Sequence, residues 1–515
     1  MKLKRSHDSF WLLGLFILAL ILWLINLGDL PLRDWDEGYY GTVAKDMYHS
    51  SNWIFPSYLG DDFLLKPPLA MWLITLSYHW GGINEWTTRF PLAFISALSV
   101  PLLYLLGKQA FQSRSSALFT ALIYLTLLPV VRHTRLAMLD GIINTFWIFS
   151  LWCLLQSRQR KIWAVGFGLG LGGIAMTKGI LVLALGGLVV IFLLVSQQFN
   201  LLKNPFLWVG LLLGTMFTLN WYGAQFAEYG SIFIDVHFRS QSIDRLSTAV
   251  EGNSGPFWYY LLELSKYCWP WLMFFPGALL ISWKKRKEVW EQLTLICGLG
   301  FLVLISLMGT KLPWYIMPFY PFFAMGIGGY LGSLWRSQTA CPRWIGRLLM
   351  IQGVIAFGGG IYFIWQSSPR ILIATSLILT LTFFIAAWQF LQDQKIALVS
   401  LVIGLYCALI SFMLSPAWIW ELNEAFAVKP VAELIQGHIP KDEIVFTAFP
   451  YSRPSLDFYS ERKVIAADMI TWQKLSPEAT YWLLDPPSLN AIGATKYMDL
   501  GDAGDFTLIK TQPND

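Results

Sequence analysis

The sequence predicts a polytopic α-helical membrane protein that carries a small α/β domain at its C-terminal end. Three observations lead there. Of the 515 residues, 56% are hydrophobic and only 13% charged, with a mean hydropathy of +0.52, whereas soluble domains carry roughly 25% charged residues. The chain holds 26 Trp, 21 Tyr and 36 Phe, and Trp and Tyr rings, apolar with a polar tip, suit the membrane–water interface. Long apolar runs recur as far as residue 416, after which the pattern changes. A water-soluble globule is excluded.

The first run, residues 10–30 (FWLLGLFILALILWLINLGDL), follows the basic head KLKR. It exceeds the roughly 7–15 apolar residues of a cleaved signal and lacks a small-residue cleavage site, so it reads as a permanent first helix with the N-terminus in the cytoplasm. Further runs between residues 89 and 416 bring the expected total to about thirteen transmembrane helices. The runs on either side of Thr177-Lys178-Gly179 are short for the roughly 20 residues of a straight span. Basic residues gather in alternate loops, most densely in WKKRKE at 283–288, and the positive-inside rule assigns those loops to the cytoplasm. Residues 31–88, 227–267 and the tail are then expected outside. This divides the chain into a transmembrane catalytic domain, 1–416, and an exterior or periplasmic domain, 417–515.

The tail differs in charge as well as pattern, with 14 Asp and Glu against 8 Lys and Arg in 417–515. KPVAELIQGHI predicts a helix, EIVFTAF a strand, RPSLDFYSE a short helix, and RKVIAA, TYWLLD and FTLIK strands. Such short apolar runs between short helical patterns suit an α/β domain. The five cysteines, Cys153, Cys268, Cys297, Cys341 and Cys407, have no metal-ligand spacing, and none lies in the tail. Nucleic acid is not an expected partner, because the excess basic charge sits in short loops between apolar runs. No Asn begins an N-x-S/T acceptor, which fits a prokaryotic plasma (inner) membrane.

Candidate chemistry concentrates in the expected exterior segments. In LPLRDWDEGYYGTVAKDMYHS, Tyr40, Val43, Ala44, Met47 and Tyr48 recur at helical spacing and predict an amphipathic helix on the membrane surface. Asp34 with Glu37 makes a capping-box-like start. Asp36, beside Glu37 and close to Arg33 and Tyr40, is costly at a membrane surface unless water or a ligand uses it. A carboxylate there can take a proton from an attacking hydroxyl, and D-W-D read as a D-x-D metal site ranks second. In DDFLLKPPLAMWL, Pro67-Pro68 keeps Lys66 extended and opens a helix. Lys66 reads either as a snorkelling anchor or as a fixed ammonium for a phosphate. Asp140 in RHTRLAMLDG sits where a helix N-terminus stabilises an acid. Lys178, Lys311 and the HFRSQSIDRLS segment, with His237, Arg239 and Arg245, fall on the same side. Topology alone thus gathers Lys66, Lys178, Arg245 and Lys311 with acidic Asp36, a set suited to a phosphorylated lipid.

With these motifs in order, the chain resembles the GT-C class of membrane glycosyltransferases, and within it the group of aminoarabinose transferases and protein O-mannosyltransferases. The resemblance rests on RDWDEGYYGTVAKDM, KPPLAMWL, HTRLAMLDG, TKG, KLPWYIMPFYPFFAM and PSLDFYSERKV, spread over almost the whole chain. It implies a GT-C fold and inverting transfer of a sugar from a polyprenyl-phosphate-linked donor to a lipid or glycan acceptor on the exterior face. It implies Asp36 as general base with Glu37 beside it, Lys66 and Arg245 on the donor phosphate, and polar roles for Asp140 and Lys178. Lys311, Arg33 and Tyr40 complete the substrate-binding candidates. No cofactor is implied, and a divalent metal is not the favoured reading. Leu65 stands where the aminoarabinose group commonly has an acid before this lysine, which sets the chain apart from a metal-binding loop there. The alternative is a transporter or flippase for polyprenyl-linked glycans. Transporters place functional charges at mid-membrane, whereas these candidates cluster at outer span ends.

Overall fold

A computed structural model describes residues 5–337, 342–419, 427–448, 452–475, 478–492 and 496–512. Residues 2–4 of the basic head and Cys341 lie outside them. The chain forms two compact units. One comprises residues 1–27, 64–69 and 90–418, and the other residues 28–63, 70–89 and 419–515.

The first unit is helical. Among the described residues, five helices are long and apolar enough to cross a membrane: Glu85–Phe111, Leu139–Gln156, Val289–Leu307, Arg343–Trp365 and Arg370–Leu391. The pair Arg114–Leu125 and Leu128–Arg135, bent by 61°, makes up to six. Asp8–Leu24, Leu181–Val195 and Ala397–Met413 are apolar but shorter. These long spans and shorter apolar helices make a polytopic helical membrane protein. The bend has a local cause, because Pro129 stands in the first turn after the break and lacks the N–H that would continue the ladder. The first helix, Arg5–Leu24, is tied at both ends. Asp8 pairs with Lys108 and with Arg114 at 3.4 Å. At the other end, buried Arg135 donates to the carbonyls of Leu22 (2.9 Å) and Ile25 (2.6 Å) and lies 4.5 Å from the Trp418 ring. The last carbonyls of a helix run out of helical donors, and here a buried guanidinium serves that end.

The second unit is built on a five-stranded sheet of β1 (Ile444–Thr447), β2 (Lys463–Ala466), β3 (Tyr481–Leu484), β4 (Tyr497–Ala503) and β5 (Phe506–Thr511). The order is β2-β1-β3-β5-β4, with β1 parallel to β2 and β3 and the remaining pairs antiparallel. All four residues of β3 are buried, as expected for a central strand covered on both faces. The helix Val428–His438 turns Val431, Ala432 and Ile435 into the same core as Val445, Leu483 and Leu508. The sequence reading missed β4, a polar edge strand whose register shifts between Asp499 and Gly501.

The helix Asp36–Ser50 belongs to this second unit, and its apolar face is not laid open. Tyr40, Val43, Ala44 and Met47 are buried, and the short helix Pro454–Ser460 packs against this helix. Gly38 permits that approach: a Cβ there would lie 2.4 Å from the Ser455 nitrogen. The expected surface-lying amphipathic helix is thus an internal helix of this unit. Near it, Asp457 is buried, accepts from the Val464 N–H at 2.8 Å and bonds the Tyr58 hydroxyl. Burial raises its pKa to about 7 against those two hydrogen bonds, and nearby Asp34 adds to the rise. Folding therefore takes up a proton between the ordinary carboxylate range and about pH 7. Stability contributed by this group is present at low pH and falls as pH rises through that window. Asp457→Asn is expected to flatten the decline in melting temperature between pH 5 and 7.5.

Candidate active site

The acidic stretch of the first loop is held by ion pairs within the second unit. Glu37 is fully buried and meets Arg89 in a two-pronged pair, with Nε to Oε1 at 2.9 Å and Nη2 to Oε2 at 2.8 Å. Glu37 Oε2 also accepts the Arg33 N–H at 2.9 Å. The same guanidinium donates to the carbonyls of Leu30 and Pro31, both at 2.7 Å, so one arginine pins residues 30–37. Asp34 is taken up by Arg453 (Oδ2, 2.8 Å) and by the Ser455 N–H (3.2 Å) and hydroxyl. The capping-box reading of Asp34 and Glu37 is therefore corrected. The residue before the helix is Trp35, no side chain caps it, and both acids turn instead to buried arginines. Of the D-W-D pair, Asp34 is thus already engaged by Arg453 and Ser455.

Asp36 stands apart. It is half-buried, and Oδ1 accepts the Tyr40 hydroxyl at 3.1 Å, one turn along the helix. Trp35, just before it, adopts φ 64° and ψ −121°. For a bulky residue this left-handed backbone costs of order 1–3 kcal/mol and persists only where its surroundings enforce it. The Arg89–Glu37 clamp is such an enforcement. Arg33 is buried beside Glu37, and its main chain also accepts from Gly38 at 3.0 Å.

The expected cations assemble in the first unit, around a cavity of about 330 Å³. Lys66, Asp140, Lys178, His237, Gln241, Arg245 and Tyr315 supply its polar lining, and residues such as Ile180, Leu183, Phe301 and Ile305 its apolar walls. Lys66 Nζ donates to Gln241 Oε1 at 2.8 Å. Lys178 Nζ donates to Asp140 Oδ1 at 2.9 Å and lies 4.9 Å from the centre of the Tyr315 ring. Arg245 Nη1 donates to the Tyr315 hydroxyl at 2.9 Å. Three cations thus face one carboxylate inside largely apolar walls, where charge is poorly screened. Asp140 sits in the first turn of Leu139–Gln156 without capping it; its partner is Lys178. A second cavity, of about 530 Å³, shares Gly179, Ile180 and Leu183 with the first and is otherwise walled mostly by small and aliphatic residues, with Tyr222 and Phe238.

Lys311 does not join this group. It is buried and donates to the carbonyls of Ile305 (3.1 Å), Ser306 (2.8 Å) and Met308, closing the end of the helix Gly300–Leu307. Arg239 is exposed. Gln241 and Tyr315 went unnoticed in the sequence. Gln241 carries a signal, four residues from both His237 and Arg245, whereas Tyr315 reads as one aromatic among many in KLPWYIMPFYP. Arg89 and Arg453 went unnoticed for a different reason, since nothing local distinguishes them.

Residues 65–222 match the family described as dolichyl-phosphate-mannose-protein mannosyltransferase. An undecaprenyl phosphate-alpha-4-amino-4-deoxy-L-arabinose arabinosyl transferase from Enterobacter sp. (strain 638) is 28% identical over 508 residues, covering 94% of this chain and 87% of the relative. The protein of that name from Erwinia tasmaniensis is 31% identical over 309 residues, covering 58% of this chain and 55% of the relative. The chain thus spans little more than half the length of the second relative. The crystal structure of ArnT from Cupriavidus metallidurans bound to undecaprenyl phosphate superposes with a TM-score of 0.81 at 18% identity, covering 98% of this chain and all of that one. The archaeal oligosaccharyltransferase AglB from Archaeoglobus fulgidus gives 0.54 at 12% identity, over 98% of this chain and 74% of that one. The chain is an integral membrane protein with the GT-C fold, and over most of its length it is similar to aminoarabinose transferases.

Proposed function

We propose that this protein is an inverting glycosyltransferase that moves a sugar from a polyprenyl-phosphate-linked donor to a lipid or glycan acceptor at the exterior face of a bacterial inner membrane. The observation that carries this reading is the cavity that gathers Lys66, Lys178 and Arg245 within apolar walls. Its chemistry is that of a phosphate held at a lipid-facing site. As the bond to the sugar breaks, charge develops on the departing phosphate, and preorganised cations facing that charge are commonly the largest catalytic contribution. Arg245 offers a planar fork and Lys66 and Lys178 compact ammonium groups, a combination suited to phosphate oxygens. The adjoining cavity, walled by small and aliphatic residues, takes the prenyl chain. Asp36 is the general base that receives the proton of the acceptor hydroxyl or phosphate. Glu37, Arg33 and Arg89 hold the backbone from which Asp36 projects.

In this reading residues 31–88, 227–267 and 417–515 face the exterior, and about thirteen helical segments lie between a cytoplasmic N-terminus and an exterior tail.

The test is incubation of the purified full chain with polyprenyl-phosphate sugars. Release of polyprenyl phosphate together with glycosylated acceptor is expected, whereas a transporter would leave the donor intact. Because three side chains already supply the positive charge, turnover is expected to be unchanged in excess EDTA. Strict dependence on a divalent ion would return D-W-D to consideration.

A further inference from the structure

One face of the exterior-loop helix of the first unit reaches three different parts of the cavity. Residues Ile234–Ile243 are wound as a π-helix that continues into Asp244–Ser247. His237, Gln241 and Arg245 follow one another four residues apart along it. His237 bonds the Leu64 carbonyl, Gln241 bonds the Lys66 ammonium and Arg245 bonds Tyr315. Wide turns of this kind recur at functional sites. Here the widening keeps a four-residue spacing close to one stripe.

His237 is the buried member of the three. Its Nδ1 lies 3.0 Å from the Leu64 carbonyl oxygen, which can only accept, so Nδ1 carries the proton. In the neutral ring Nε2 then accepts, and the Tyr222 hydroxyl at 3.0 Å is its donor. Burial, with nearby Lys66 adding to it and the Leu64 hydrogen bond opposing, brings the His237 pKa down to about 4. The ring is therefore neutral under working conditions, with its tautomer set from both sides. Gly179, at φ 45°, borders this pair: a Cβ there would stand 2.9 Å from the Tyr222 hydroxyl and 3.1 Å from His237 Nε2. The backbone next to Lys178 thus leaves the space that the His237–Tyr222 bond occupies.

We infer that His237 is a positioning residue, which grips the backbone two residues before Lys66 and so fixes where the Lys66 ammonium meets the donor phosphate. Pro67 and Pro68 stiffen the chain after Lys66, and His237 stiffens it before. Gln241 then sets the ammonium itself, from the same helix. A lysine has a long and mobile stem, and its rotamer freedom is lost each time it binds. Holding the backbone at Leu64 reduces what remains to be ordered. Because the phosphate is contacted both before and during transfer, the effect falls mainly on affinity.

The inference rests on the proposed function, and one set of measurements separates the two. Undecaprenyl phosphate is the probe, titrated into the purified full chain in detergent, with melting temperature followed in parallel. His237→Phe keeps an aromatic ring but removes both hydrogen bonds, and the Kd is expected to rise about tenfold, within the range for a lost buried hydrogen bond. His237→Asn keeps a donor near Nδ1 and is expected to return the Kd to within about threefold of wild type. Gln241→Leu is the second variant, expected to weaken binding without touching the Leu64 contact. Equal affinity in wild type, His237→Phe and Gln241→Leu would overturn the inference while leaving the function standing. Weakening in His237→Phe that His237→Asn fails to rescue would also overturn it. Absence of binding by the wild type would instead remove the proposed function.

Discussion

Asp36→Asn is expected to reduce sugar transfer by about 10²–10⁴-fold, the usual worth of a positioned general base. The substitution is close to isosteric. The Tyr40 hydroxyl that donates to Asp36 Oδ1 at 3.1 Å can donate equally to an amide oxygen, so helix Asp36–Ser50 keeps its start. What is lost is the capacity to take a proton. Affinity for undecaprenyl phosphate, expression and melting temperature are expected to stay near wild type, because the cations proposed to hold the phosphate are other residues. Transfer assayed in membranes with a polyprenyl-phosphate sugar checks this directly. Wild-type rates in the variant would remove Asp36 as base.

Arg89→Met is expected to destabilise the fold by about 3–5 kcal/mol, the cost of leaving a buried charge without its partner. The loss follows from the geometry: Glu37 is fully buried, and Arg89 supplies hydrogen bonds to both of its carboxylate oxygens. It also removes the guanidinium donors to Leu30 and Pro31, which hold the entry to the Asp36 helix. The double variant Glu37→Leu/Arg89→Met removes both charges and is expected to recover much of the melting temperature, since an apolar pair of similar volume is often no less stable than a buried ion pair. Transfer by the double variant separates two roles for Glu37. Recovered activity marks it as a strut, and absent activity in a well-folded protein marks it as part of the chemistry.

The cations of the cavity were legible because they are conspicuous. Lys66, Lys178 and Arg245 interrupt or border apolar runs, where a charge is expensive and so asks for a reason. Lys311 was equally conspicuous and was misread. Its ammonium ends a helix by binding three carbonyls, and a sequence does not distinguish a charge that binds a ligand from one that binds backbone. Asp34 shows the complementary failure. A capping box is a local pattern, but the partner that claims Asp34 is Arg453, 419 positions away. Arg89 was hidden at the edge of an apolar run, where a lone arginine reads as an interfacial anchor. In the tail, β1, β2, β3 and β5 follow apolar runs of four to six residues. The edge strand β4 has no such run and is recognised only by its pairing with β5. What escaped the sequence was distant pairing, as in the buried ion pairs Glu37–Arg89 and Asp34–Arg453.

The makeup of the second unit bears on how the protein is made. Its early pieces, residues 28–63 and 70–89, leave the ribosome well before its last piece, which begins at residue 419. At the usual 5–20 residues per second, the wait is on the order of half a minute. During that interval most of the helices of the first unit are being threaded into the bilayer, while Asp34 has yet to meet Arg453 and Gly38 has no helix against it. The acid-rich loop is then a nascent segment without its lid, exposed to proteases and chaperones. A chain stopped near residue 418 would lack Arg453 and Ser455, the partners that Asp34 meets in the finished unit.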